Sequence, residues 1–206
     1  MMVRKKQDPL IAVIAQALRC DDFIEWYDVS EFVDDLEAAK PHIDEVVKMG
    51  EARRAVELYE IFMAGCIDRM NAIHCEDQMA MFFESLFCYW IKARQASGLD
   101  PRETVQQMLK MMDNDDYGLC YGIEKEVLTV LGKKECAIFK EAIYARFDKA
   151  ISSIQTDGKV INDFPWGVRN NAAILKVIYE AKKNTKGYLE LCDRVGITPR
   201  DCESIA

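Results

Sequence analysis

The chain has 206 residues and a formal net charge of −8 at pH 7; half of its residues are hydrophobic and 30% are charged. This is the composition of a globular protein with a sizeable core, and not that of a disordered chain. The acidic balance disfavours binding to nucleic acids and to anionic membranes, so neither is an expected partner. With only ten glycines and five prolines, the chain has too few turn residues for a sheet-rich fold, and helices with short connections are favoured.

The first predicted helix begins at Asp8-Pro9, where aspartate is the N-cap and proline opens the first turn, and it runs to about Cys20. A second helix begins near Ser30. Pro41 is expected to break or restart this helix, and Gly50 to end it. The third helix has the clearest helical periodicity, and its predicted buried stripe contains Ala52, Ala55, Val56, Tyr59, Phe62, Met63, Cys66, Ile67 and Met70.

The segment from Met79 to Ile91 is apolar almost all the way round a helix. Such a helix has to be covered on several sides, so we place it at the centre of the packing. After Gly98, the pair Asp100-Pro101 repeats the cap-and-proline signal and predicts a helix to about Met112.

Five further helices are predicted in the second half of the chain, of which the last is short. One covers Tyr117 to Leu131, and the next covers Lys133 to about Ile154. Two more follow the Gln155–Trp166 loop, and Gly196 ends the second of them. Thr198 then reads as the cap of a short last helix. The apolar residues of these helices, which predict their buried faces, are Phe139, Ile143, Phe147, Ile151, Val168, Ala172, Leu175, Ile178, Tyr179, Tyr188, Leu191, Cys192 and Val195.

These elements predict an all-α protein of about 8–10 helices. Units of roughly 40 residues, each a helix, a short turn and a helix, suggest antiparallel helix pairs stacked as an α-solenoid-like (TPR/HEAT-like) array. An irregular helical bundle is the alternative. The Gln155–Trp166 loop is the expected boundary between a main helical body, residues 1–155, and C-terminal helices, residues 156–206, that pack on or extend the same stack.

The eight cysteines are expected to be reduced. Several, including Cys66 and Cys88, fall within apolar stripes, where a free thiol acts as a small hydrophobic side chain. No pair has the Cys-x-x-Cys spacing of zinc ribbons or thioredoxins. The first apolar stretch lacks a signal-peptide cleavage site, and no apolar run approaches the roughly 20 residues of a membrane span. We therefore expect a cytoplasmic protein.

The acidic segment from Asp113 to Glu124 partly matches a calcium-binding EF-hand loop. Asp113, Asp115, Gly118 and Glu124 occupy loop positions 1, 3, 6 and 12. Tyr117 occupies position 5, where it offers no carboxylate or amide oxygen. The alternative interpretation is an acidic turn whose aspartates cap the following helix, and whether the segment binds calcium stays open.

His74-Cys75-Glu76-Asp77 gathers four potential metal ligands, but adjacent residues on a turn point in different directions. Asp77 is more simply a helix cap, and the other histidine, His42, is expected to be exposed. The sequence contains no phosphate-binding glycine loop and no nucleophile motif. We assign no catalytic, cofactor-binding or metal-binding residue, and we expect no cofactor.

Several segments together resemble a known family. They are Phe23-Ile24-Glu25-Trp26, the Gly50–Met70 helix, Asp100-Pro101, Asp115-Asp116-Tyr117 and Val130-Leu131-Gly132. In this order they resemble uncharacterised bacterial α-helical repeat proteins that are often found downstream of SWIM-type zinc-binding segments. The resemblance covers roughly residues 23–150 and implies helical repeats and a bacterial source. It implies no activity, and no metal ligand is carried over because the zinc-binding segment is absent.

Two functions follow as hypotheses. The first is a protein-interaction or scaffold module without catalytic activity, which binds an unknown protein partner or another copy of itself. The second is a small-molecule-binding or enzymatic helical domain with a pocket among the aromatic helices. A cavity with convergent polar groups would favour the second hypothesis.

Overall fold

The computed structural model describes residues 8–20, 23–74, 76–152, 154, 161–198 and 201–202. The fold is all-α, as predicted, with 77% of the residues in helices. An isolated parallel β-bridge pairs Ile24 with Ile73. The nine α-helices of the described residues are α1 Pro9–Ala17, α2 Val29–Lys48, α3 Ala52–Arg69, α4 Glu76–Ala96, α5 Pro101–Asp113, α6 Glu124–Val130, α7 Lys133–Ile151, α8 Trp166–Ala181 and α9 Thr185–Val195.

The chain divides into two compact units, Met1–Val130 and Leu131–Ala206. The division lies earlier in the chain than the Gln155–Trp166 loop, because α7 packs along α8 within the second unit. Residues 155–160 of that loop lie outside the described part of the chain.

Helix α4 lies at the centre of the first unit, as its composition predicts. It contacts α2, α3, α5 and α6, and Phe82, Phe83, Phe87 and Trp90 are buried. Phe82 packs against Phe62 of α3, with ring centroids 5.5 Å apart. A helix covered from so many directions can bury aromatic side chains on most of its surface, and each buried ring contributes roughly 1.5–3 kcal/mol.

Helix α2 is continuous through Pro41, so the predicted break is wrong. Proline has no N–H, and the carbonyl of Glu37 therefore loses its helical hydrogen bond. Both residues lie on the exposed side of the helix, where water can satisfy that carbonyl. The buried stripe is kept on either side of the proline by Ala39 and Ile43, and burial of this face holds the helix together.

Lys40 is the buried cation of α2. Its Nζ donates a hydrogen bond to Ser85 Oγ at 2.8 Å, pairs with the carboxylate of Glu37 and lies 5.2 Å from the centroid of the Phe82 ring. A buried ammonium group needs such partners to offset its lost hydration. Lys40 therefore ties α2 to α4 by polar contacts in addition to apolar packing.

Helix α6 begins at Glu124, and the predicted start at Tyr117 is wrong. Gly118 and Gly122 have φ angles of +76° and +80°, in the left-handed region that interrupts a helix. The Asp115 carboxylate stabilises this turn by accepting hydrogen bonds from the backbone N–H groups of Tyr117 and Cys120. Residues 117–123 thus form turns instead of the first part of α6.

In the second unit, the predicted apolar faces of α7, α8 and α9 are buried as expected. The chain after α9 is held to this unit by Asp201, which is buried. Lys176 Nζ donates to Asp201 Oδ1 at 2.7 Å, and Tyr188 Oη donates to the same oxygen at 2.6 Å. Thr198 donates its N–H and its hydroxyl to Asp201 Oδ2, and the N–H of Asp201 donates to Thr198 Oγ1 at 3.4 Å. This reciprocal pair is the capping-box arrangement, as predicted for Thr198.

Two helical glycines of the second unit make a matched pair for testing its packing. A Cβ atom at Gly187 would lie 2.7 Å from Asn184 Nδ2 and 2.8 Å from Tyr179 Cε1, whereas a Cβ at Gly167 meets nothing within 4 Å. We expect Gly187→Ala to destabilise the protein by about 1–3 kcal/mol, because the rigid ring and the cap of α9 must move. Gly167→Ala should be neutral or stabilising by up to about 1 kcal/mol. Thermal unfolding followed by circular dichroism checks both, and equal effects would contradict the described contacts.

The environment of Asp201 makes stability depend on pH. Burial alone would raise the pKa of this carboxyl, but the hydrogen bonds from Lys176, Tyr188 and Thr198 outweigh burial and hold its pKa well below the ordinary value. The stabilisation is complete above the unfolded pKa of about 3.9 and is lost as the pH falls towards the folded pKa. Asp201→Asn should lower the free energy of unfolding by about 3 kcal/mol at pH 7, because it leaves the Lys176 charge without its partner.

Urea unfolding of the two proteins between pH 7 and pH 3 measures this effect. The difference between wild type and Asp201→Asn should shrink once the pH falls below about 4. The control is Asp193→Asn, on the exposed side of α9. A difference for Asp201→Asn that stays constant across this range would contradict the assigned linkage.

Candidate ligand-binding cavity

A cavity of about 360 Å³ opens in the first unit between α3, α4, α5 and the turn after α5. Its size falls within the range of about 300–1,000 Å³ that is typical of small-ligand sites. Side chains from three helices and a turn converge on it, and they are Glu60, Ile67, Phe83, Gln107, Lys110, Met111, Asn114, Asp115, Asp116, Tyr117 and Cys120.

One side of the cavity is apolar. Phe83 and Cys120 are buried, and Met111 and Tyr117 are half-buried. Ile67 also lines the cavity, and it is exposed although the sequence placed it on the buried stripe of α3. The prediction for Ile67 is wrong because its side chain borders the cavity, whereas Cys66 and Met70 of the same stripe are buried.

The polar lining residues Glu60 and Gln107 belong to a polar group that surrounds Arg94 of α4. Arg94 is only 3% exposed. Its Nε donates to Thr104 Oγ1 at 3.0 Å and its Nη1 donates to Gln107 Oε1 at 2.6 Å. Its guanidinium carbon lies 5.1 Å from the centroid of the Trp90 ring, a cation–π distance. These contacts fix Gln107, a lining residue, in one orientation.

Glu60 of α3 completes the polar group. Its Oε1 accepts a hydrogen bond from Trp90 Nε1 at 3.1 Å, and the same oxygen lies 3.6 Å from Arg94 Nη1. Burial lowers the pKa of Arg94, and the charges of Glu60 and Glu103 oppose that shift. Because an arginine pKa starts above 12, the guanidinium stays charged at neutral pH. The side chain of Glu60 therefore lines the cavity together with the apolar residues, and the charged guanidinium of Arg94 lies next to it outside the lining.

The acidic segment considered for calcium forms part of the cavity rim. Both oxygens of Asp115 accept hydrogen bonds from backbone N–H groups of the turn, those of Tyr117 and Cys120. Asp115 therefore stabilises the turn, and the prediction that it caps the following helix is wrong because α6 begins only at Glu124. Burial raises the pKa of Glu124, and this carboxyl lies at the start of α6. Within the described ranges of the chain, no group of three or more His, Cys, Asp or Glu side chains is placed to hold a metal ion.

The thiol of Cys120 lies in the cavity wall in its protonated form. Burial, together with the nearby Asp115 carboxylate, raises the pKa of Cys120 to about 12. A thiol with so high a pKa carries almost no thiolate at neutral pH and is a poor nucleophile. All seven cysteines that the structure describes are free.

The histidines lie away from this cavity. His74 is exposed, with its ring against the edge of Phe23 at a centroid distance of 6.3 Å. Cys75, the next member of the segment considered for metal binding, lies outside the described residues. His42 is exposed, as predicted, and it borders a shallower groove of about 480 Å³ between α1 and α2 that is lined largely by alanines.

The sequence analysis missed the residues that build the polar side of the cavity. Arg94 follows Trp90 by four residues, one helical turn, and therefore lies on the same buried stripe of α4. A charged residue on a buried stripe indicates a buried polar group, so the sequence did contain this signal. Its partners Thr104 and Gln107 lie one turn apart on α5, but nothing in the sequence pairs α5 with the end of α4.

No family model, curated protein or solved structure matches this chain. The resemblance to SWIM-associated helical-repeat proteins therefore stays a prediction. In the part of the chain that the structure describes, no helix combines the length and the apolar character needed to cross a membrane.

Proposed function

We propose that this protein binds a small organic ligand in the cavity between α3, α4 and α5. The observation that carries the proposal is the junction of an apolar wall with an ordered polar group in a cavity of about 360 Å³. Apolar walls supply affinity, and a few fixed polar groups supply orientation and specificity. Glu60 and Gln107, the members of this polar group that line the cavity, are already held by hydrogen bonds with Trp90 and Arg94, so binding would require little reordering of these side chains.

The chemistry of the lining residues supports binding without catalysis. The protonated Cys120 thiol is no nucleophile. The Asp115 carboxylate is occupied by the turn, so it is not free to act as a general base. The proposed function takes the small-molecule pocket from the second hypothesis of the sequence analysis. It takes the absence of catalysis from the first hypothesis, the interaction module.

A neutral aromatic probe tests the proposal. On adding 2-phenylethanol, the ¹³C-methyl NMR signal of Met111 should shift and saturate, because this methionine lines the cavity. The signals of the exposed Met49 and Met81 should not move. Ile67→Trp, which fills the opening from an exposed position, should abolish the shift while the melting temperature stays within a few degrees of wild type.

Two results would count against the proposed function. One is an unchanged Met111 signal with 2-phenylethanol, indole and naphthalene-methanol alike. The other is a shift that survives in Ile67→Trp, which would place the probe elsewhere.

A second candidate function is the protein-interaction role, and an exposed aromatic segment favours it. Trp26 and Tyr27 are 66% and 62% exposed, and their rings meet edge to face at 5.7 Å. Ile24 anchors the segment to the body: its N–H donates to the Ala72 carbonyl, and its carbonyl accepts from the His74 N–H. Exposed tryptophan and tyrosine on an anchored segment are typical of interface hot spots.

Under this second candidate, the helices form the stacked pairs of an α-solenoid-like array, and the aromatic segment binds a partner protein or another copy of the chain. A photo-crosslinking residue at position 27 should then give one discrete crosslinked species in cells. The same residue at position 121, where the tyrosine is 83% exposed, should give none. Equal crosslinking at both positions, or none at either, would contradict this candidate.

A further inference from the structure

We propose that the cavity selects organic cations, in which an aromatic or aliphatic body is joined to a protonated amine. This inference rests on the proposed binding function of the same cavity. Its lining contains three carboxylates, Glu60, Asp115 and Asp116, and a single ammonium group, Lys110. The balance of the lining charges is therefore negative beside a wall of apolar side chains.

Glu60 is the carboxylate best placed to meet an ammonium group. Its Oε1 already accepts from Trp90 and faces Arg94, which fixes the side chain. Among the described residues its second oxygen, Oε2, has no hydrogen-bond partner, and the side chain is 41% exposed. A ligand ammonium can thus bind Oε2 through a charge-assisted hydrogen bond without breaking an existing contact.

The two positive groups near the cavity do not cancel this preference. Arg94 does not line the cavity, and Thr104 and Gln107 accept its hydrogen bonds. Lys110 is exposed on α5, so its flexible ammonium is free to remain in water. Asp116 is also exposed at the rim, where it adds to the attraction for an approaching cation.

The apolar wall decides what kind of cation fits. Phe83 and Tyr117 line the cavity with aromatic rings, which attract an organic ammonium group through their faces. A hydrated metal ion would instead lose water molecules on contact with Ile67 and Met111. These apolar side chains have no oxygen or nitrogen ligand to replace that water. The net charge of −8 further raises the local concentration of any cation.

Three probes of nearly equal shape but different charge separate the effect of ligand charge on affinity from the effect of ligand shape. Phenethylamine is a cation at pH 7, 2-phenylethanol is neutral and phenylacetate is an anion, and each is titrated while the Met111 methyl signal is followed. Phenethylamine should bind about fivefold to tenfold more tightly than 2-phenylethanol, as expected for one partly exposed ion pair with a cation–π contact. Phenylacetate should bind more weakly than either.

Glu60→Gln and Asp116→Asn locate the charges responsible. Glu60→Gln should remove most of the preference for phenethylamine, measured as the ratio of the dissociation constants of 2-phenylethanol and phenethylamine in the same variant. Glutamine has no charge to attract the ammonium group but keeps an oxygen to accept from Trp90. Asp116→Asn, at an exposed position of the rim, should reduce the preference by about twofold. The control is Asp34→Asn, which removes one exposed charge from α2, a helix that does not line the cavity.

The outcomes distinguish this inference from the function on which it rests. Equal binding of phenethylamine and 2-phenylethanol, both at Met111, would overturn the selection of cations and leave the binding function intact. Binding by none of the three probes would overturn both. If Asp34→Asn reduces the preference for phenethylamine as much as Glu60→Gln does, the assignment to Glu60 is overturned. The preference would then come from the overall charge of the protein.

Discussion

Helix α4 has almost no polar face, and the first unit is arranged around the need to cover it. From Met79 to Ile91 the helix presents aromatic and aliphatic side chains in nearly every direction. A helix of this kind is stable in water only when other helices cover most of its surface, and α2, α3, α5 and α6 do so. The exposed side chains of α4, which include Met81 and Lys92, lie on one narrow stripe. The other helices of this unit can be amphipathic because α4 accepts their apolar stripes.

The same constraint explains where the cavity lies. Towards its C-terminal end α4 carries Arg94 on the buried stripe, and the guanidinium is satisfied by Thr104 and Gln107 of α5 and by the ring of Trp90. A buried charge with this many partners holds α5 in position. Glu60 joins the group from α3, so the polar side of the cavity belongs to the packing of the core. Its carboxylate is left facing the cavity, where it can meet a ligand.

Sequence reasoning predicted the helices well because their apolar residues recur at the helical repeat, as in α3 and α7, and because Asp8-Pro9 and Asp100-Pro101 mark helix starts. It failed at Pro41, where burial of one face keeps α2 continuous although proline usually breaks a helix. It also failed before Glu124, where two glycines with positive φ angles, Gly118 and Gly122, make α6 begin later than predicted. The cavity could not be predicted. Its walls come from α3, α4, α5 and a turn, and no local pattern says that these segments converge.

The central claim is that α4 is the most completely covered helix of the first unit, and amide hydrogen exchange tests it most directly. The backbone amides between Met79 and Ala93 should exchange only by unfolding of the whole unit, and so more slowly than those of α1 or α6. Exchange is measured by mass spectrometry or NMR under native conditions. If the amides of α4 exchange as fast as those of α1, the account is contradicted. A helix at the centre of the core should not open while the rest of the unit stays folded.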